Sequence, residues 1–289
     1  VGMKKYWLFV VLIILFFNFQ ACKTGNEEPL KKRTLILGHR GSGTSQQSDF
    51  QENTYESVHN AFEKLDGAEV DIQCSKDGTL WLFHDANLPE NHQNLLCIPQ
   101  SSDYEIRNLE TENVSFTVTP LEEILLLMSE MEKTSYLSLD VKGYFNNGCF
   151  ETSEQLNEYF KKMASGLSDL LSDYPLYDQI MVETDYQYFL DLINEHEIGV
   201  STYLLGYNDF KQRMHIALDK SYDGISFNHK DESLTEDDIL NAGKENLKIQ
   251  LWTVNNEDDF KKIIGWSPDF IQTGNVELGE KFIHNSNMH

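Results

Sequence analysis

Basic residues are scarce. Lysine and arginine total 23 against 47 aspartates and glutamates, a formal net charge of -24 over 289 residues. Such a surface repels nucleic acid backbones, which argues against a general DNA or RNA binder; the charge itself reads as a solvated, soluble exterior. Cysteine is equally sparse, at four, and no C-x-x-C spacing occurs, which leaves no zinc site of that kind. The one long apolar run, Tyr6 to Phe17, is too short to span a bilayer comfortably. Internal repeats and extended low-complexity tracts are absent. What is present is an ordinary globular composition, 40% apolar and 24% charged. The length suits one large α/β domain at least as well as two smaller ones.

The apolar run follows Lys4 and Lys5 and leads to Ala21-Cys22. A short positive start, a hydrophobic stretch and a small residue at a cleavage point describe an export signal over 1–22. Cys22 stands where bacterial lipoproteins expose a cysteine for lipid, although Phe19 replaces the aliphatic residue expected there. The expectation is a chain exported and lipid-anchored to a bacterial membrane; an uncleaved anchor, or cleavage without lipid, are the other outcomes. Polar residues 23–33 read as a tether before one folded domain over 34–289. In an oxidising compartment the remaining Cys74, Cys97 and Cys149 allow one internal bridge. Cys97–Cys149 is the first pair to test, which leaves Cys74 as a buried thiol.

From Thr34 onward strands and helices alternate. Strands are predicted at 34–38, 67–73, 79–84, 135–142, 178–183, 199–204, 223–227, 248–254 and 269–273. Helices are predicted near 53–65, 120–132, 152–172, 186–196, 208–219, 234–245, 256–264 and 276–284. This alternation predicts a parallel sheet with helices outside it. Nine strands is one too many for a closed (β/α)8 barrel, but Asp77-Gly78 is a hairpin turn and far too short for a parallel crossover. The strand ending at His84 therefore runs antiparallel, and eight remain. The fold expected is a TIM barrel with one extra antiparallel hairpin strand. Residues 86–119, without clear periodicity, read as an insertion lacking its own helix and roofing the substrate pocket.

Charged residues gather at strand ends. Gly38-His39-Arg40-Gly41 places a proton-transfer group and a phosphate-matching fork after the first strand, although a plain turn would read the same. Gln51-Glu52-Asn53-Thr54 opens a helix; Asn53 or Thr54 could cap it, and Glu52 could ligate a metal or orient a catalytic group. Glu69 and Asp71 are two apart on a strand and share its inward face, because Ala68, Val70 and Ile72 must meet the helices. Two inward carboxylates repel unless a cation lies between them, which calls for a divalent ion or for buried pairing with lysine or arginine. The hairpin return carries His84-Asp85 toward the same mouth. Ser138, Asp140 and Lys142 repeat the inward alternation, as a shared ligand site or as a simple Asp140–Lys142 salt bridge.

In this order the segments resemble the glycerophosphodiester phosphodiesterase family over roughly residues 34–283. The matching stretches are His39-Arg40-Gly41, Glu52-Asn53-Thr54, Gly67-Ala68-Glu69 with Asp71, Ser75-Lys76-Asp77-Gly78 and His84-Asp85. Later come Tyr222 to Ser226, Leu251-Trp252-Thr253-Val254-Asn255 and Pro268 to Thr273. The resemblance implies hydrolysis of small-molecule glycerophosphodiesters to sn-glycerol 3-phosphate and an alcohol. It implies His39 and His84 as the acid–base pair, and Glu69, Asp71 and Asp140 around one divalent ion, Ca2+ or Mg2+. Arg40 and Lys142 would meet the phosphate charge, Glu52 would lie near metal or substrate, and Trp252 would be an aromatic wall or plain packing.

Two positions depart from the family pattern. Asp140 stands where a glutamate is usual, and Gly274 where an aspartate precedes proline. Alternatives are the same barrel acting on a phosphoinositol or lysophospholipid head group, or a surface binding protein with weakened catalysis.

Overall fold

The computed structural model describes residues 33–44, 48–88, 97–109, 116–145 and 149–286. The expected export signal, Cys22 and the tether up to residue 32 lie outside the described residues. Eight parallel strands form the barrel: β1 (Leu35–Gly38), β2 (Gly67–Cys74), β5 (Tyr136–Val141), β6 (Ile180–Thr184), β7 (Ser201–Gly206), β8 (Gly224–Asn228), β9 (Lys248–Trp252) and β10 (Phe270–Thr273). β1 closes it by pairing with β10 on one side and with β2 on the other. Helices α1 (Tyr55–Lys64), α3 (Leu121–Glu130), α4 (Ser153–Asp173), α5 (Gln187–Glu195), α6 (Phe210–Asp219), α7 (Glu236–Lys244), α8 (Glu257–Trp266) and α9 (Val276–Ser286) alternate with these strands.

The period-2 pattern sorts each strand onto two faces. Along β5, Leu137, Leu139 and Val141 join the apolar layer beneath the helices, with Val70, Ile72 and Phe62. The inward residues form tiers. Leu37, Met181, Tyr203 and Phe270 make a separate apolar plug within the barrel. Next comes a polar tier of Ser138, Glu183, Ser226, Gln250 and Gln272, all buried. Asp71 and Asp140, paired across β2 and β5, lie nearer the carboxyl ends of the strands, the end where TIM barrels build their sites.

β3 (Leu80–Leu82) pairs antiparallel with β2, as the short Asp77-Gly78 connection demanded. Gly78 turns that hairpin at φ 103°, a backbone conformation that side chains disfavour. One expectation for 86–119, that it lacks a helix of its own, needs correction. The segment carries a short helix α2 (Asp103–Arg107) and ends in a tenth strand, β4 (Thr119–Pro120), antiparallel to β3. The helix is stabilised by a capping box, Ser102 with Glu105; five residues are too few to show helical periodicity. None of its described residues lines the cavity at the carboxyl ends of the strands; the expected roof falls in part on 89–96 and 110–115, outside the described residues. Leu88, Ile98 and Ile106 instead bury Trp81 and Phe83 of the hairpin, and Asp103 accepts hydrogen bonds from Ser75, Thr79 and Trp81. The apolar side chains thus draw the described part of the segment onto the hairpin. Cys97 and Cys149 form a disulfide, and Cys74 is a buried free thiol.

Candidate active site

A cavity of about 290 Å³ opens among the carboxyl ends of the strands. One half is charged: His39, Arg40, Asp71, His84, Asp140, Lys142 and Glu183. The other presents Leu205, Tyr207, Trp252 and Thr253. Glu69 lies at the charged half, in hydrogen-bond contact with the Arg40 backbone.

The His39-Arg40-Gly41 turn owes its shape to backbone crowding. A Cβ on Gly38 would stand 1.8 Å from the Gly41 carbonyl oxygen, so only glycine fits. The His39 N–H donates to Thr273 O at 2.7 Å and the Gly41 N–H to Glu69 O at 2.9 Å. The Arg40 N–H donates to Glu69 Oε2 at 2.8 Å, with Arg40 itself at φ 54°. Residues with side chains seldom adopt that region, and functional sites are where such strain collects. His39 Nε2 lies 3.8 Å from Glu69 Oε2. His84, delivered by the hairpin, pairs through Nδ1 with Asp85 at 2.8 Å.

Glu69, Asp71 and Asp140 each offer an oxygen within 4.8 Å of the others. Asp71 is the most heavily partnered. Lys142 lies 2.8 Å from Oδ1, Arg40 Nε 3.4 Å from Oδ2, and Asn53 Nδ2 donates to Oδ2 at 2.8 Å. Burial would raise its pKa, but Lys142 and Arg40 outweigh burial and hold the carboxyl well below the usual range. Lys142 also pairs with Asp140 at 2.6 Å, so the salt bridge weighed as an alternative is present. Even so, burial keeps the Asp140 pKa raised. Glu69 is raised much further, by burial and then by Asp71. Its Oε1 is buried without a hydrogen-bond partner. An orphaned acceptor among three convergent carboxylates, two of them with pKa values raised chiefly by burial, fits a hard cation that takes oxygen ligands.

Burial, then Arg40, pushes the His39 pKa down to about 3, leaving a neutral ring at neutral pH. Glu52 falls outside both the acidic cluster and the cavity lining. It meets Arg40 instead, with Nη1 at 2.8 Å, and so aims the guanidinium. Trp252 lines the cavity, its ring edge-on to Tyr207 with centroids 5.3 Å apart. Gly274 is off the cavity; its N–H donates to Asn255 Oδ1 at 2.8 Å.

Three residues were missed as site components. Thr54 caps α1, which frees Asn53 to bind Asp71. The Asp71 N–H in turn donates to Asn53 Oδ1 at 3.0 Å. Glu183 accepts from Gln250 at 2.7 Å and Gln272 at 2.6 Å. Burial, then Asp140, raises its pKa to about 7. Tyr207 forms the outer part of the aromatic wall. Inward alternation pointed to Glu183, but a lone carboxylate made no pair; nothing local pointed to Tyr207.

Residues 39–278 match the model of the glycerophosphoryl diester phosphodiesterase family. Among solved structures, a glycerophosphodiester phosphodiesterase from Parabacteroides distasonis is 18% identical, with a TM-score of 0.71 over 89% of this chain and 99% of that one. An Oleispira antarctica phosphodiesterase in complex with the product sn-glycerol-3-phosphate is 18% identical, with a TM-score of 0.69 over 87% and 97%. A Thermotoga maritima glycerophosphodiester phosphodiesterase is 19% identical, with a TM-score of 0.64 over 87% and 99%. No curated protein matches the sequence significantly.

Proposed function

The chain belongs to the glycerophosphoryl diester phosphodiesterase family, and on that premise we propose that it hydrolyses small glycerophosphodiesters by acid–base catalysis from His39 and His84. The observation that carries the reading is convergence: both imidazoles, the Arg40 and Lys142 cations and the carboxylate cluster meet at one cavity.

His39 lines the cavity with an unprotonated ring nitrogen and is placed to accept the proton of the attacking oxygen. Its partner His84, braced by Asp85, is suited to return one to the departing alkoxide. The proton balance of the first displacement is the same whether the attacking oxygen belongs to water or to a neighbouring glycerol hydroxyl; in the second case the product is a cyclic phosphate, which water opens in a further step to glycerol 3-phosphate. One P–O bond forms, one breaks, and a proton passes to the leaving alcohol. Arg40, aimed by Glu52, and Lys142 offer fixed positive charge to the phosphate oxygens. A divalent cation, Ca2+ or Mg2+, held by Glu69, Asp71 and Asp140 would supply Lewis-acid stabilisation of that same charge. The aromatic half of the cavity suits the carbon-bearing part of the substrate.

Export and lipid anchoring at Cys22 belong to the same proposal, with residues 34–289 as the catalytic domain. The Cys97–Cys149 disulfide supports an oxidising compartment, and the mass of the mature N-terminus tests processing at Cys22.

A panel of glycerophosphodiesters, with a lysophospholipid and glycerophosphoinositol included, tests the chemistry. Glycerol 3-phosphate should appear from the small diesters. His39→Ala and His84→Ala should each lower kcat by about 10²–10⁴-fold with little change in melting temperature. Retained turnover in either variant would contradict its role.

A further inference from the structure

His229 lies just beyond β8, beside Trp252 at the end of β9, and is 6% exposed. Its backbone N–H donates to the Trp252 carbonyl oxygen at 3.0 Å. The ring Nδ1 reaches that same oxygen at 3.0 Å, and a carbonyl can only accept, so Nδ1 carries a proton and donates. On the far side of the ring, Nε2 faces Asp259 Oδ2 at 3.3 Å. Asp259 is itself held in the first turn of α8: Asn256 Nδ2 donates to Oδ2 at 2.6 Å, and the Asp259 N–H donates to Asn256 Oδ1 at 2.9 Å.

The backbone N–H alone would satisfy the Trp252 carbonyl, so the ring adds a second, side-chain tie. Burying an imidazole costs free energy unless its nitrogens are partnered; Nδ1 donates to the Trp252 carbonyl, and Nε2 donates to Asp259 when it too carries a proton. His229 does not line the cavity, whereas Trp252 does. The opposite support of Trp252 is the Tyr207 ring. The wall facing the charged half is therefore fixed through its backbone by one residue and through its ring by another.

We infer that His229, oriented by Asp259, is a positioning residue that fixes Trp252 as the wall against the carbon-bearing part of the substrate. This rests on the phosphodiesterase reading above. It acts on binding rather than on proton transfer, because neither His39 nor His84 touches this chain of contacts.

The test is steady-state kinetics on sn-glycero-3-phosphoethanolamine with full-length protein. His229→Leu removes the side-chain tie and should raise KM about tenfold, the effect of one lost hydrogen bond, with kcat changed less than twofold. His229→Asn, whose amide can take the Nδ1 position, should restore KM to within about threefold of the wild type, since it keeps that single donor. A purely structural role would not give that split and rescue. An unchanged KM in folded His229→Leu, a fall in kcat at constant KM, or an asparagine variant as impaired as the leucine variant would each overturn the inference. Should His229→Leu fail to fold, Asp259→Asn replaces it, with a raised KM expected and an unchanged KM overturning the inference. A wild-type protein without turnover would overturn the phosphodiesterase reading and this inference with it. Wild-type turnover with unaltered KM in the variants overturns this inference alone.

Discussion

Glu183 shows how a single side chain can couple the barrel interior to pH. It is 1% exposed, it is hydrogen-bonded by neutral donors, and its pKa rises from 4.5 to about 7 through burial and then through Asp140. Between those values the folded chain holds a proton that the unfolded chain releases. That contribution to stability is present at low pH and is lost as pH rises through about 7. The full penalty is about 3 kcal/mol. His39 works in the other direction: with its pKa lowered from 6.5 to about 3, its share of stability is lost as pH falls through that range. The wild-type profile mixes the two, so the comparison must isolate one. In metal-free protein, Glu183→Gln should gain melting temperature relative to the wild type between pH 5 and 8. Thermal melts showing a gap that stays flat with pH would refute this. At this scale, legibility followed pairing. Glu69 and Asp71 announced themselves because two carboxylates shared one face. Asn53 did not, since a residue before a helix reads equally well as a cap.

At the level of elements, the β2–β3 hairpin decides the site. It is the device that returns His84 to the mouth, and Asp77-Gly78 made it readable, because no parallel crossover fits in so few residues. The following segment was read only in part. Its composition marked an insertion, but its apolar residues, Ile98 and Ile106 among them, are too widely spaced to reveal that they would cover Trp81. The disulfide ties this segment to the loop after β5, which carries Lys142, across a separation of 52 residues. A closed loop of that length contributes about 4 kcal/mol in the chain-entropy account. Cys97→Ser with Cys149→Ser should therefore lower the melting temperature by several degrees. Differential scanning calorimetry showing an unchanged transition would count against a bracing role.

On the scale of the whole molecule, a chain with a net charge of -24 places its few interior cations where the acidic side chains converge. Lys142 and Arg40 bring two positive charges to a site holding Glu69, Asp71, Asp140 and Glu183, so negative charge stays in excess there unless protons or a cation neutralise it. Burial, and then that imbalance, raises the Glu69 pKa, and the imbalance follows from barrel closure, which turns inward residues of separate strands toward one point. Barrel closure was legible from the count of alternating elements, and the resemblance offered Trp252 as an aromatic wall; Tyr207 was not legible, because it meets Trp252 only through the register of β7 and β9. The most direct measurement is glycerol 3-phosphate release from sn-glycero-3-phosphoethanolamine by chelator-treated protein, before and after adding calcium or magnesium. The account predicts loss of turnover on chelation and recovery with one of the two ions. Full turnover in the stripped protein would contradict it.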